Sequence, residues 1–306
     1  MSKISQPASS HPFKIAPSMR IGHVSLNVFN LERSLEFYHK ILGFKVVTKS
    51  ADKALLATSG EDSSSSYLVE LLQVNANNNR DMPSSSTLRK RAGLYHFAIL
   101  LPERKHLADM LLNLVDNRDK VHFDGFADHL VSESIYIRDP DFNGIELYRD
   151  RPASEWNWHG DKVEMATLAL NTEDLVMEAT DKGWEEMPPK TTIGHVHLHV
   201  RNISKAQSFY RDVLGLNMTA TIPGAAFFAA DKYHHHIATN TWLGTDILPA
   251  APQSIGLNHF SILLLSKAEF ERLGNQMSKY SQQTKLSEKS HFVCDADGIK
   301  IQVEYK

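Results

Sequence analysis

Residues 21–44 read IGHVSLNVFNLERSLEFYHKILGF and residues 193–216 read IGHVHLHVRNISKAQSFYRDVLGL, and 11 of these 24 positions match without a gap. A second pair, GLYHFAILL at 93–101 and GLNHFSILL at 256–264, matches at seven of nine positions. Each segment sets a histidine near the start of an apolar pattern: His23, His96, His195 and His259. Self-similarity of this kind marks one small supersecondary unit used several times. In the first copy, IGHVSLNV alternates as a half-buried strand does. Asn30 follows where a helix N-cap belongs, Leu31, Leu35, Tyr38, Ile41 and Leu42 recur at helical spacing, and Gly43 closes the helix. FKVVTKS, KALLAT and SYLVELLQV then read as three strands. The third unit repeats the plan, with Asn202 as cap, Ile203, Ala206, Tyr210, Val213 and Leu214 on one face, and Gly215 at the end.

The second unit runs from about 92 to 150, with a strand at LYHFAILL, a helix over HLADMLLNLVDN, and strands at ESIYIRD and IELYRD around the turn DPDFNG. The fourth runs from about 255 to 306 and ends in SHFVCDADGIKIQVEY. Polar, breaker-rich stretches separate the units at 75–91 and 152–190. The expected organisation is a flexible N-terminal tail at 1–18, a first two-unit domain at 19–151, an acidic linker at 152–190, and a second two-unit domain at 191–306. The 306-residue length fits two domains of roughly 150 residues each.

Composition narrows the function. The formal net charge is −3, which gives no basis for holding nucleic acid. No apolar run reaches the ~18 residues of a membrane helix, and the N-terminal stretch has no apolar segment of the secretory type. The single cysteine, Cys294, excludes an internal disulfide framework and fits a reducing cytoplasmic setting. Nothing in the composition argues against a homo-oligomer. Histidine stands out: there are 16, six of them at 195, 197, 199, 234, 235 and 236. Imidazole suits iron, zinc, copper and nickel. His39, His106, His122, His129, His159 and His291 read as ordinary core or surface residues.

Four βαβββ units with a strand-one histidine resemble the vicinal oxygen chelate superfamily, which includes glyoxalase I, fosfomycin-resistance proteins and extradiol dioxygenases. The resemblance implies an α+β fold of four modules forming two paired, cup-shaped mixed β-sheet domains. The four-unit plan is most similar to catechol 2,3-dioxygenase-like proteins. It implies a metal-dependent, ring-cleaving enzyme acting on a catechol-like aromatic diol with O2. Two other members of the superfamily stand as alternatives, a glyoxalase-type isomerase or transferase and a non-catalytic aromatic-binding protein. The family holds Fe2+ with two histidines and a glutamate, and Mn2+ or another divalent metal fits the same ligands. Its glutamate closes a unit, with a tyrosine ten residues before it. Here Tyr136, Asp139, Pro140, Gly144 and Glu146 follow that pattern, with the glycine displaced and Phe142 in its slot. The fourth unit departs from it, since seven residues after Asp295 stands Gln302, and Glu304 is two further on.

The run Tyr233-His234-His235-His236 matches the segment that supplies the family's acid/base. Aligned on Ile237-Ala238, it puts His235 at the catalytic position, with His236 beside it, and sends His234 and His236 to the opposite strand face. The resemblance therefore gives His96, Glu146 and His195 as metal ligands, with His235, Tyr136 and His236 as catalytic candidates. This set requires units two and three to share a cup. Pairing three with four gives His195, His259 and Gln302 or Glu304. Pairing one with two gives His23, His96 and Glu146 without a histidine cluster. His197 and His199 lie on the face of His195 and are expected to support the pocket. Tyr233, Trp242, Phe227 and Phe228 are candidates for an aromatic wall.

Overall fold

A computed structural model of the protein describes residues 12–60, 66–74, 91–251, 253–280, 284–285 and 287–306. The repeated helices start as read from sequence. Asn30 and Asn202 accept the amides of Arg33 and Lys205 at 2.8 and 2.9 Å. The helices Leu31–Leu35 and Ile203–Gln207 then widen over Glu36–Ile41 and Ser208–Val213. In the widened turns the Leu42 and Leu214 amides reach back five residues to Phe37 and Phe209. This geometry buries Phe37, Tyr38 and Ile41, and their counterparts Phe209, Tyr210 and Val213, on one face. Gly43 and Gly215 end the helices at φ +81° and +79°, a conformation that costs glycine no Cβ clash.

The strands form two eight-stranded mixed sheets and a two-stranded ribbon. In one sheet, Thr192–His199 pairs antiparallel with Gly93–Leu100. Ile237–Asn240, Ala225–Ala229 and Asn217–Ile222 follow on one side, and Gly144–Asp150, Ser132–Arg138 and His122–Asp128 on the other. The second sheet is its counterpart, centred on Arg20–Val28 paired with Gly256–Leu264. Units two and three thus build one sheet, and units one and four the other. The sequence segments 19–151 and 191–306 each give one unit to each sheet, so the sheets cut across that linear division. Along each central strand, alternate residues go to the core: Phe97 and Ile99, and Val196 and Leu198, are fully or almost fully buried.

Sequence-adjacent units meet instead through their helices. Tyr38 on the first unit's helix donates to Asp139 Oδ2 of the second unit at 2.9 Å. Tyr210 donates to Asp295 Oδ2 at 3.0 Å in the same way. Asp139 Oδ1 also accepts the Asp141 and Asn143 amides, and Asp295 Oδ1 those of Asp297 and Ile299. Each aspartate therefore ties its own turn and clamps a neighbouring helix.

Two stretches are more ordered than their composition indicates. Within the expected tail, residues 1–11 lie outside the described residues, but Ile15 and Ala16 are buried and the Ile15 amide donates to Gly215 O at 3.1 Å. This apolar turn packs against the end of the third unit's helix. The 152–190 linker contains Ala153–Glu155, a ribbon of Trp158–His159 and Lys162–Val163, and the helix Thr172–Val176. Trp156, Val163, Leu170, Leu175 and Met187 are buried along it. Residues 75–90, expected as a loop, lie outside the described residues.

Burial outweighs the donated hydrogen bonds and pushes Asp139 and Asp295 up to about 6. The unfolded chain releases these protons near about 3.9. Between those values the folded chain binds more protons. This stabilisation is complete below about pH 4 and is lost as pH rises through about 6. The unfolding free energy of the wild type relative to an Asp139→Asn, Asp295→Asn double variant should therefore fall with rising pH. The expected slope is roughly 1.4 kcal/mol per pH unit for each carboxyl across that window. A pH-independent difference would contradict the assignment.

Candidate metal centre

The antiparallel pairing of the two central strands brings unit two to unit three. The register slips by one residue between Ile193 and His195, so that His195 lies opposite Ala98 and His197 opposite His96. Gly194 is the residue bulged out, and the reason for glycine is steric, since a Cβ there would collide with the Tyr148 hydroxyl. Glu146 is the parallel partner of Ala98 on the next strand. Three residues distant in sequence thus point into one cup.

Their ligand atoms converge. Glu146 Oε2 lies 2.9 Å from His195 Nε2 and 3.1 Å from His96 Nε2. All three ligand atoms fall within 4.8 Å of one another, and all three side chains are buried. Ser134 Oγ donates to the other oxygen, Glu146 Oε1, at 2.6 Å. That bond fixes the carboxylate with Oε2 turned toward the imidazoles. Burial lowers His195 to about 4, so the ring is neutral near neutral pH. Burial by itself raises Glu146, but the two imidazoles outweigh it and hold the carboxyl well below its ordinary value. Two neutral imidazoles and one carboxylate suit a divalent cation. His96 Nε2 supplies the test of fit: it is buried and makes no directed hydrogen bond, which is costly unless something else occupies it.

Around the triad, the His235 ring packs against His195 with centroids 4.1 Å apart and planes tilted by 48°. Tyr136 pairs across the strands with Glu146 and lies 5.5 Å from His96, ring to ring. His236 is not brought into this group; it packs on Tyr233 and its Nδ1 accepts the Ala230 amide. His234, expected on the opposite face, comes within 5.9 Å of His195 and touches His235. The difference arises because residues 233–236 turn sharply before the strand Ile237–Asn240 begins, which breaks simple alternation. His197 Nε2 accepts from Asn240 Nδ2 at 3.0 Å, and His199 Nδ1 meets Asn240 Oδ1 at 2.8 Å, so one amide orients both rings. Phe227 and Trp242 line this side, against His197. Phe228 packs instead on Tyr210 in the core.

Sequence reasoning missed four contributors. His129 Nε2 meets the Tyr136 hydroxyl at 2.7 Å. Tyr148 and Asp150 continue the Glu146 strand toward the histidine run. Trp156, from the linker, covers Tyr233 and His234. Only the two-residue period after Glu146 offered a signal, for Tyr148 and Asp150.

A family model described as the Glyoxalase/Bleomycin resistance protein/Dioxygenase superfamily matches residues 20–147 and 192–302. The chain belongs to this superfamily. A Bacillus subtilis (strain 168) protein named catechol-2,3-dioxygenase is 38% identical over 281 residues, covering 90% of this chain and 93% of its own. Among solved structures, a candidate dioxygenase from Bacillus subtilis superposes with a TM-score of 0.61 at 11% identity, covering 95% of this chain and 86% of its own. The glyoxalase I of Zea mays gives 0.52 at 15%, covering 94% of this chain and 92% of its own. These two likenesses speak to fold alone. Among the described residues, no helix is long and apolar enough to cross a membrane.

The superfamily's duplicated plan makes the second sheet an internal comparison. His23 and His259 take the places of His195 and His96, and Gln302, beside Ser261 as Glu146 is beside Ala98, takes that of the glutamate. There the imidazoles face each other, Nε2 to Nε2, at 3.2 Å. Glu304 does not replace the missing carboxylate, because it approaches His23 Nδ1, the other ring nitrogen, at 3.3 Å. Tyr67 stands where His235 stands. Metal analysis should therefore separate the two cups. His96→Ala should lose stoichiometric metal, His259→Ala should keep it, and Gln302→Glu should raise the metal content above the wild type. Equal loss in both alanine variants would refute the assignment.

Proposed function

We propose that the protein is an extradiol ring-cleaving dioxygenase that opens a catechol-like aromatic diol with dioxygen. We assign iron(II) as its metal, with manganese(II) able to take its place, and His96, Glu146 and His195 as the ligands. The observation that carries this reading is the juxtaposition of a single-carboxylate triad with a further imidazole, His235, packed against one of its ligands. The name of the Bacillus subtilis relative supports it. A glyoxalase-type isomerase would call for a second carboxylate, and among the described residues the group has one. The lone cysteine, Cys294, is a free thiol, and we place the protein in the reducing cytoplasm.

Three ligands on one face leave adjacent positions open. A divalent ion held there would supply Lewis acidity toward both diol oxygens and an electronic link between diol and dioxygen. The side chains carry the rest. Burial holds His235 well below the ordinary imidazole value, so its ring is neutral before the diol arrives. It takes the second diol proton and returns it as the ring bond beside the diol breaks. Both atoms of dioxygen enter the ring-opened semialdehyde acid. Burial, and then Glu146, push Tyr136 well above its ordinary value, so it remains a donor. His129 donates through Nδ1 to Ala166 O at 2.7 Å, which leaves its Nε2 to hold the Tyr136 hydroxyl until a substrate oxygen competes for it. Phe227 and Trp242 pack beside His197 as an apolar flank for the ring.

Protein loaded anaerobically with iron(II), then given catechol and air, is expected to take up oxygen equimolar with catechol and turn yellow. His235→Ala should lower kcat by roughly 10²–10⁴-fold with bound metal unchanged. Loaded protein that consumes no oxygen with any diol, yet isomerises a thiohemiacetal with zinc or nickel, would replace this reading with the isomerase one.

A further inference from the structure

The histidine run is coupled to a carboxylate at the rim of the cup. Asp150 lies four residues beyond Glu146 on the same strand, with its side chain 22% exposed. Its Oδ1 sits 2.9 Å from His234 Nε2. Its Oδ2 accepts from the Tyr233 hydroxyl at 2.9 Å, and Tyr148 stands 2.9 Å from that same hydroxyl. His234 is fully buried, and its Nδ1 lies 2.8 Å from Nδ1 of His235.

The bonding rules restrict where the protons lie. A carboxylate only accepts, so the ring nitrogen facing it must carry hydrogen. A neutral imidazole has one donor and one acceptor nitrogen. With hydrogen on Nε2, His234 has a bare Nδ1, which can only accept. His235 must then donate from Nδ1, and its own Nε2 is left without a proton. Tyr233 donates to Asp150, so it can only accept from Tyr148. Every hydrogen bond in the chain then has one donor and one acceptor.

We propose that Asp150 and His234 are positioning residues that set the tautomer of His235, leaving its Nε2 as the bare, proton-accepting atom. This rests on the dioxygenase reading for its catalytic consequence but not for its structural one. The chain works by direction rather than by charge. Asp150 and His234 touch no substrate, and act only by deciding which nitrogen of His235 is free. Asp150→Leu is the discriminating change, because it keeps the approximate volume and removes the acceptor that faces His234 Nε2. Without that acceptor the His234 Nε2–H has no partner, so hydrogen is free to move to His234 Nδ1 and reverse the chain, capping His235 Nε2 with a proton.

The test is the tautomeric state of His234 and His235 in metal-free protein, read by long-range ¹H–¹⁵N correlation near neutral pH. The wild type should show His234 protonated on Nε2 and His235 on Nδ1. Asp150→Leu should lose this preference, with the reversed pair of tautomers populated. In the iron-loaded enzyme the same variant should lose at least about tenfold in kcat, with KM and bound metal unchanged. A wild-type His235 protonated on Nε2, or tautomers unmoved by Asp150→Leu, would overturn the proposal whatever the activity. Tautomers as expected in a protein that consumes no oxygen with any diol would overturn the dioxygenase reading and leave the relay standing.

Discussion

Everything at the candidate centre depends on the antiparallel contact between Thr192–His199 and Gly93–Leu100. The ladder joins chain segments about one hundred residues apart and fixes which face of each enters the cup. A slip of one residue would send every inward side chain to the core. The bulge at Gly194 is where the register is adjusted: without it, His195 would not come level with Ala98 and, through Ala98, with Glu146. The glycine is required there by Tyr148, whose hydroxyl fills the space of a Cβ. Tyr148 in turn meets Tyr233 and so connects to the histidine run.

The second sheet shows how few residues separate the two cups. Its bulge, paired imidazoles and closing turn all recur. The differences include an amide at Gln302 in place of the carboxylate at Glu146, and Tyr67 in place of His235. Without the negative charge, the two imidazoles satisfy each other, and Ser261 and Glu304 hold His23 from its other nitrogen. The polar atoms of that cup are largely bonded within it, whereas His96 Nε2 in the first cup has no directed bond. The tyrosine–aspartate clamps, which tie each helix to the next unit's turn, are common to both halves. The scaffold is thus symmetric, and among the described residues the convergent His–Glu–His group lies in one half of it.

Much of this was legible in the chain. The repeat gave four units, and Asn30, Asn202, Gly43 and Gly215 marked the helix ends because caps and left-handed termini need those residue types. Glu146 and Gln302 could be told apart by charge alone, and that contrast favoured joining units two and three. Other features depend on contacts that spacing does not encode. The widened helical turns, the packing of Ile15 and Ala16, and the folding of 152–190 over Tyr233 and His234 all follow from tertiary burial. His129 looked like an ordinary loop histidine because its link to Tyr136 crosses a hairpin. Strand alternation does not extend into the turn at 233–236, so His234 lies beside His235 and His236 lies against Tyr233.

The central claim is that units two and three together grip one divalent cation. The most direct measurement is an anomalous difference map, at the metal absorption edge, from crystals of protein loaded with iron(II) or manganese(II). The account predicts one dominant peak within about 2.0–2.3 Å of His96 Nε2, His195 Nε2 and Glu146 Oε2. A peak between His23 and His259, or none at either place in protein that binds the metal stoichiometrically, would contradict it.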